Sequence, residues 1–105
     1  MLNLTPHAIT LRTPDGDVTI APSGRIARVT TAAEATELVV AGVRVVRNTY
    51  GPVTGLPTDG TPCIVSGMVL AALPAGTPNI YAPATGATAI REDGQVVAVT
   101  ELVMA

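Results

Sequence analysis

The chain has 105 residues with 6 basic side chains, all Arg, against 8 acidic ones, giving a net charge of −2; it is 48% hydrophobic but only 13% charged. That length holds a single domain over residues 1–105 with one modest core, and the charge balance excludes the basic face that binding to a nucleic-acid duplex requires. No apolar stretch approaches the roughly 18–20 residues of a membrane-spanning helix, so neither polymeric nucleic acid nor a membrane is an expected partner.

From His7 to Thr13 larger apolar and polar residues alternate, with Ile9 and Leu11 on one face, which is the period of a half-buried strand. Pro14-Asp15-Gly16-Asp17 supplies a turn and Val18-Thr19-Ile20 resumes the alternation, which predicts a hairpin. After a second turn at Pro22-Ser23-Gly24, Arg25 to Thr30 reads as a third strand, so the first third predicts a small antiparallel sheet. Residues Thr31 to Leu38 are rich in Ala and Glu behind a potential Thr cap, but the stretch is short, and a turn of helix or a loop fits equally.

Val43 to Tyr50 is β-branched and aromatic, hence a strand, with Gly51-Pro52 expected to break it. Cys63-Ile64-Val65 is an uninterrupted apolar run that predicts a strand buried on both faces. Ser66 and Pro74 bracket a short helix over about residues 66–73, with Met68, Ala71 and Ala72 on one side. A strand at Asn79 to Ala82, a loop at Pro83 to Gly86 and a final hairpin turning at Asp93-Gly94 complete the pattern. The fold class predicted is α+β and β-rich: small antiparallel or mixed sheets of short strands with one short helix.

So few charges leave Ala, Val, Thr and Gly on the surface, and burial of part of that surface against copies of itself predicts a homo-oligomer. Cys63, the only cysteine, has no disulfide partner within the chain, and with His7 it falls short of a Cys-based metal site; no cofactor is expected. A buried, inert thiol is the expected state of Cys63. Met1 to His7 lacks the basic region and apolar run of a secretory signal, so a cytoplasmic location is expected.

Four segments, Asn3-Leu4-Thr5-Pro6-His7, Ile64-Val65-Ser66 ahead of the short helix, Tyr81-Ala82-Pro83-Ala84-Thr85-Gly86, and Ala89-Ile90-Arg91-Glu92-Asp93-Gly94-Gln95, resemble a family of small, mostly uncharacterised phage and actinobacterial proteins. The resemblance covers both ends and the middle, and is weakest over residues 31–50. It brings no reaction. It implies a phage context in the cytoplasm of a bacterial host, where small accessory proteins interfere with host defence and some act as oligomeric sponges for cyclic nucleotide or ADP-ribose signals; that last step is an analogy between small phage proteins.

A nucleotide-like ligand needs an anion site and a surface for its base. Ser66 and Gly67 lie where a buried strand meets a helix start, whose free N–H groups attract anions, although plain capping is the commoner role. Arg holds phosphate through a rigid fork of donors; Arg91, in a tight hairpin, ranks first, then Arg25 and Arg28, against the alternative of surface ion pairs. Tyr50 and Tyr81 are the only aromatic residues and so the only candidates for base stacking, although a strand Tyr is more often packing. Asn3, Thr5 and His7 gather three polar groups within five residues, and Thr85 offers a hydroxyl in a Pro-flanked loop; structural roles compete at each.

Three functional classes follow. The first is a non-enzymatic protein that sequesters a small nucleotide-like ligand in pockets between subunits. The second is a structural or assembly protein of a phage particle. The third is a small hydrolase or nucleotide-cleaving enzyme, disfavoured because the one His, one Cys and eight carboxylates show no diagnostic spacing.

Overall fold

A computed structural model describes all residues 1–105. Strands account for 51% of the chain and helix for 5%, a β-rich α+β fold of small separate sheets with one short helix. The body is a four-stranded mixed sheet in the order β1 (Leu2–Asn3), β6 (Cys63–Ile64), β7 (Ile80–Pro83), β10 (Leu102–Met104). β1, β6 and β7 run parallel, and β10 is antiparallel to β7. Three hairpins surround it: β2 (Ile9–Thr13) with β3 (Gly16–Ile20), β4 (Arg28–Val40) with β5 (Val43–Thr54), and β8 (Ile90–Glu92) with β9 (Gln95–Ala98).

The apolar run at Cys63 is the centre of the body, as expected: Cys63, Ile64 and Val65 are all 0% exposed. Side chains alternate across a strand. Cys63 and Val65 face a cluster with Leu4, Ala27, Val69, Leu70, Ile80 and Ala82, whereas Ile64 points the other way, in register with Asn3 and Tyr81 on either side. The helix α1 (Gly67–Ala71) covers the cluster and is capped by Ser66, whose Oγ accepts from the Val69 N–H at 3.3 Å. It is shorter than the predicted span, and its buried residues are Val69 and Leu70; Met68 and Ala71 face outward, because a helix this short packs through whichever residues stand over the sheet.

The largest departure from expectation is the β4–β5 ribbon. Arg25 to Ala27 is not a strand and nothing there joins β2–β3; the strand begins at Arg28 and continues through the Ala- and Glu-rich stretch to Val40. A helix of eight residues is marginal by itself. Pairing in register with β5 (Thr31 opposite Tyr50, Ala33 opposite Asn48, Ala35 opposite Val46) supplies the backbone partners that decide for strand. The ribbon turns at Ala41-Gly42, both with positive φ (52° and 80°), the backbone of a two-residue hairpin turn matched to strand twist.

Nor does Gly51-Pro52 end β5. The register shifts there, Val29 facing Val53 and Thr31 facing Tyr50, so the proline occupies a bulge where its missing N–H leaves no gap in the ladder. A second irregularity lies between Ala35 and Val39, where the Thr36 hydroxyl donates to the Val45 carbonyl at 2.6 Å and accepts from the Leu38 N–H at 3.2 Å. At the foot of the ribbon Gly55 has φ +88°, and a Cβ there would stand 2.7 Å from the Ile26 carbonyl oxygen; only glycine fits this junction. The tail also divides: β9 closes the last hairpin, and β10 crosses over to the edge of the body sheet.

Candidate functional site

The polar side chains expected at a ligand site are mostly engaged inside the chain. Asn3 and Thr5 are buried. Asn3 Nδ2 donates to the carbonyls of His7 (2.7 Å) and Ile20 (3.0 Å), and its Oδ1 accepts from the Thr5 N–H (3.0 Å) and hydroxyl (2.7 Å). This network ties β1 to the chain entering β2 and to the end of β3. It also accounts for the Asn-Leu-Thr-Pro-His segment in structural terms: Asn3 and Thr5 point to one face while Leu4 enters the core.

Arg91 Nη1 donates to the Gly86 carbonyl at 3.0 Å and Nη2 donates to the Thr85 carbonyl, so its guanidinium fastens the loop after β7 and pairs with neither Glu92 nor Glu101. The one ion pair in the chain joins Arg12 to Asp17 at 2.9 Å across the β2–β3 hairpin, and it holds the Asp17 carboxyl below the usual carboxylate range. Asp59 is also held low, by hydrogen bonds from the Thr61 hydroxyl (2.6 Å) and N–H (3.0 Å). Burial pushes the Cys63 thiol up, so it is held as the neutral thiol. No three His, Cys, Asp or Glu side chains come together in a metal-binding cluster.

The remaining candidates fall into separate places. His7 and Thr85 line one groove beside β2 and β9, Gly67 lines a second between α1 and β10, and Arg25 lines a third with Asp59. Arg28 is exposed at the foot of β4. Tyr81 is half-buried between Ile64 and Met104 in the sheet register. Tyr50 is 51% exposed in a groove at the base of the ribbon, with Asn48, Thr31 and Met68. Thus Tyr50 comes beside the first turn of α1, but Arg91 lines none of these grooves.

The apolar surface of the ribbon contains none of the residues predicted for a site except Tyr50 and Arg28 at its base. Leu38, Val39, Val40 and Val43 at its tip are between 63% and 67% exposed. Full burial of one such side chain stabilises by ~1.5–3 kcal/mol, so these four hold roughly 4–8 kcal/mol that the single chain does not realise. The signal was present: Leu-Val-Val, two turn residues ending in Gly, then Val is a hairpin pattern.

The whole chain shows the same deficit. Its accessible surface is 6975 Å², about 1,500 Å² above the ~5,500 Å² expected of a compact monomer of 10.6 kDa. Its radius of gyration is 16.4 Å, where about 13 Å is usual for 100 residues. It makes 42 backbone–backbone hydrogen bonds, against roughly 70 for this length, because the hairpins are two-stranded and, apart from the bridge from β2 to Val99, add no further strand at their edges. The most extensive distinctive surface is therefore open and apolar rather than a polar cleft. No helix is long and apolar enough to cross a membrane. No protein-family model, curated protein or solved structure matches the chain.

Proposed function

We propose that the chain is a non-catalytic assembly subunit, a homo-oligomeric building block of the kind used in a phage particle, joined to its copies through the β4–β5 ribbon. The observation that carries this reading is the ribbon tip: four large aliphatic side chains at the end of a long β-arm, open to solvent on a chain with few charges. A single domain gains nothing by building such an arm, whereas an assembly gains a long lever with an apolar end. Light scattering on the purified protein across the micromolar range tests it: an oligomer is expected, and a monomer mass throughout overturns it. Detection of the chain within purified particles places the assembly in a virion.

The exposure of Tyr50 favours a second reading, an oligomer that sequesters a nucleotide-like signal of the cyclic nucleotide or ADP-ribose type and so counters host defence. The groove that holds Tyr50 lies at the base of the arm, and this reading requires a neighbouring subunit to complete its walls. Its anion site is the weaker half, since the Ser66 hydroxyl already caps α1, the five-residue helix has little dipole, and Arg91 is engaged by the Thr85 and Gly86 carbonyls. Titration calorimetry against cyclic dinucleotides and cyclic ADP-ribose isomers separates the two readings. Micromolar binding that is lost in Tyr50→Ala supports sequestration, and no binding leaves assembly alone.

A further inference from the structure

The β1 edge of the body sheet is covered, because Ser23 N–H donates to the Asn3 carbonyl at 2.9 Å and Ala27 N–H to the Leu4 carbonyl at 3.0 Å. The β10 edge is open. On its inner side the Glu101 carbonyl accepts from Ala84 N–H and the Ala105 carbonyl from Gly76 N–H, so by the alternation of an antiparallel ladder the N–H and C=O groups of Leu102 and Met104 point away from β7. Beside this edge runs an apolar groove of ≈ 420 Å³, walled by Leu70 and Leu73 on one side and Val103 and Met104 on the other. Apolar walls and an unpaired strand edge together form an acceptor for an added strand.

We infer that this groove receives the ribbon tip of a second copy of the chain. The inference rests on the oligomeric reading above and names its contact. The donor is complementary in three respects: the ribbon has two unpaired edges of its own, its tip carries Leu38, Val39, Val40 and Val43, and these are as apolar as the groove. Charge agrees with this: Arg44 follows the tip and Glu101 precedes β10, and neither has an ionic partner within the chain.

The chain's own tip cannot fill the site. Thr31 lines a groove with Met68 of α1, and the nine residues from there to Val40 carry the tip roughly 30 Å away at ~3.4 Å per residue. Area supports a donor and an acceptor on every subunit. The ~1,500 Å² of surplus surface is close to two faces of the ~800 Å² that each partner contributes to a standard interface. Exchange is reciprocal in a two-fold dimer and head-to-tail in a ring, and the mass of the particle reads which.

The test places a cysteine at each end of the contact, Val40→Cys at the tip and Ala75→Cys in the groove, in the full chain. Cys63 is fully buried and stays silent to a short bis-maleimide. Rapid linkage between subunits in the double variant, absent from both single variants, is expected. In addition, Ala75→Arg, which leaves the arm untouched, raises the concentration needed for assembly by roughly tenfold or more. An oligomer whose double variant does not link, or in which Val40→Cys alone links tip to tip, overturns the docking and leaves the oligomeric reading standing. A monomer at every concentration overturns both.

Discussion

Cys63-Ile64-Val65 in the body and Leu38-Val39-Val40 in the arm are apolar runs of the same length, both adopting extended backbone or its immediate continuation. The first is wholly buried and the second is about two-thirds exposed. The difference lies in what surrounds them. β6 has a parallel strand on either side and α1 above, while the arm tip has one partner strand and nothing over either face. Hydrophobicity of a segment states a need for burial; only neighbouring elements decide whether the same chain meets it. The body is therefore closed by its own elements, and the arm tip is left open.

If the body carries the stability of the isolated chain, Ile64→Ala gives the largest loss, about 2–5 kcal/mol for a cavity under the central strand, read by urea denaturation. Equal stability in that variant would make the comparison wrong. Asn3→Ala comes next: it removes the acceptor of the Thr5 N–H and the amide donor to the Ile20 carbonyl, and leaves the His7 carbonyl only the Thr5 hydroxyl at 3.0 Å, and a loss of roughly 1–3 kcal/mol is expected from the same measurement. By contrast, the paired change Val39→Asp and Val40→Asp alters the denaturation of the monomer by no more than ~0.5 kcal/mol while collapsing the assembled mass to that of one chain.

The smallest effect concerns the β2–β3 hairpin. The Asp17 carboxyl titrates below its ordinary value because Arg12 donates to it, and NMR titration of the side chain should show it returning to the ordinary range in Arg12→Ala. The sign follows from the depressed folded value. Whatever the pair contributes is present above the ordinary aspartate range and is lost as pH falls through the folded value. Both side chains are solvent-exposed, so no measurable change in overall stability is expected at neutral pH.

The β2–β3 and β8–β9 hairpins, the buried strand at Cys63 and the Ser66-capped helix were all legible locally, because each is announced by alternation, turn residues or a cap within a few positions. The ribbon below its turn was not, since Thr31 to Leu38 favours helix or loop by composition and Gly51-Pro52 favours a break. Both preferences are small beside a ladder of backbone hydrogen bonds to a partner strand, and the bulge at Pro52 removes the remaining conflict. The helix face went astray for a related reason: with five residues there is no full period to read, and the sheet below selected Val69 and Leu70.

The candidate site divides along the same line. Residue types suited to a phosphate-bearing ligand can be picked from the chain, but whether their polar atoms are free depends on partners far along it. The Asn3 amide reaches Ile20, and Arg91 turns back to the carbonyls of Thr85 and Gly86. Composition alone required a surface with a large apolar share, since 13% charged residues cannot coat a domain of 105. Where that surface lies is a tertiary decision. It falls at the end of the arm and beside the β10 edge because strand pairing, which is non-local, exhausts its partners before reaching either place.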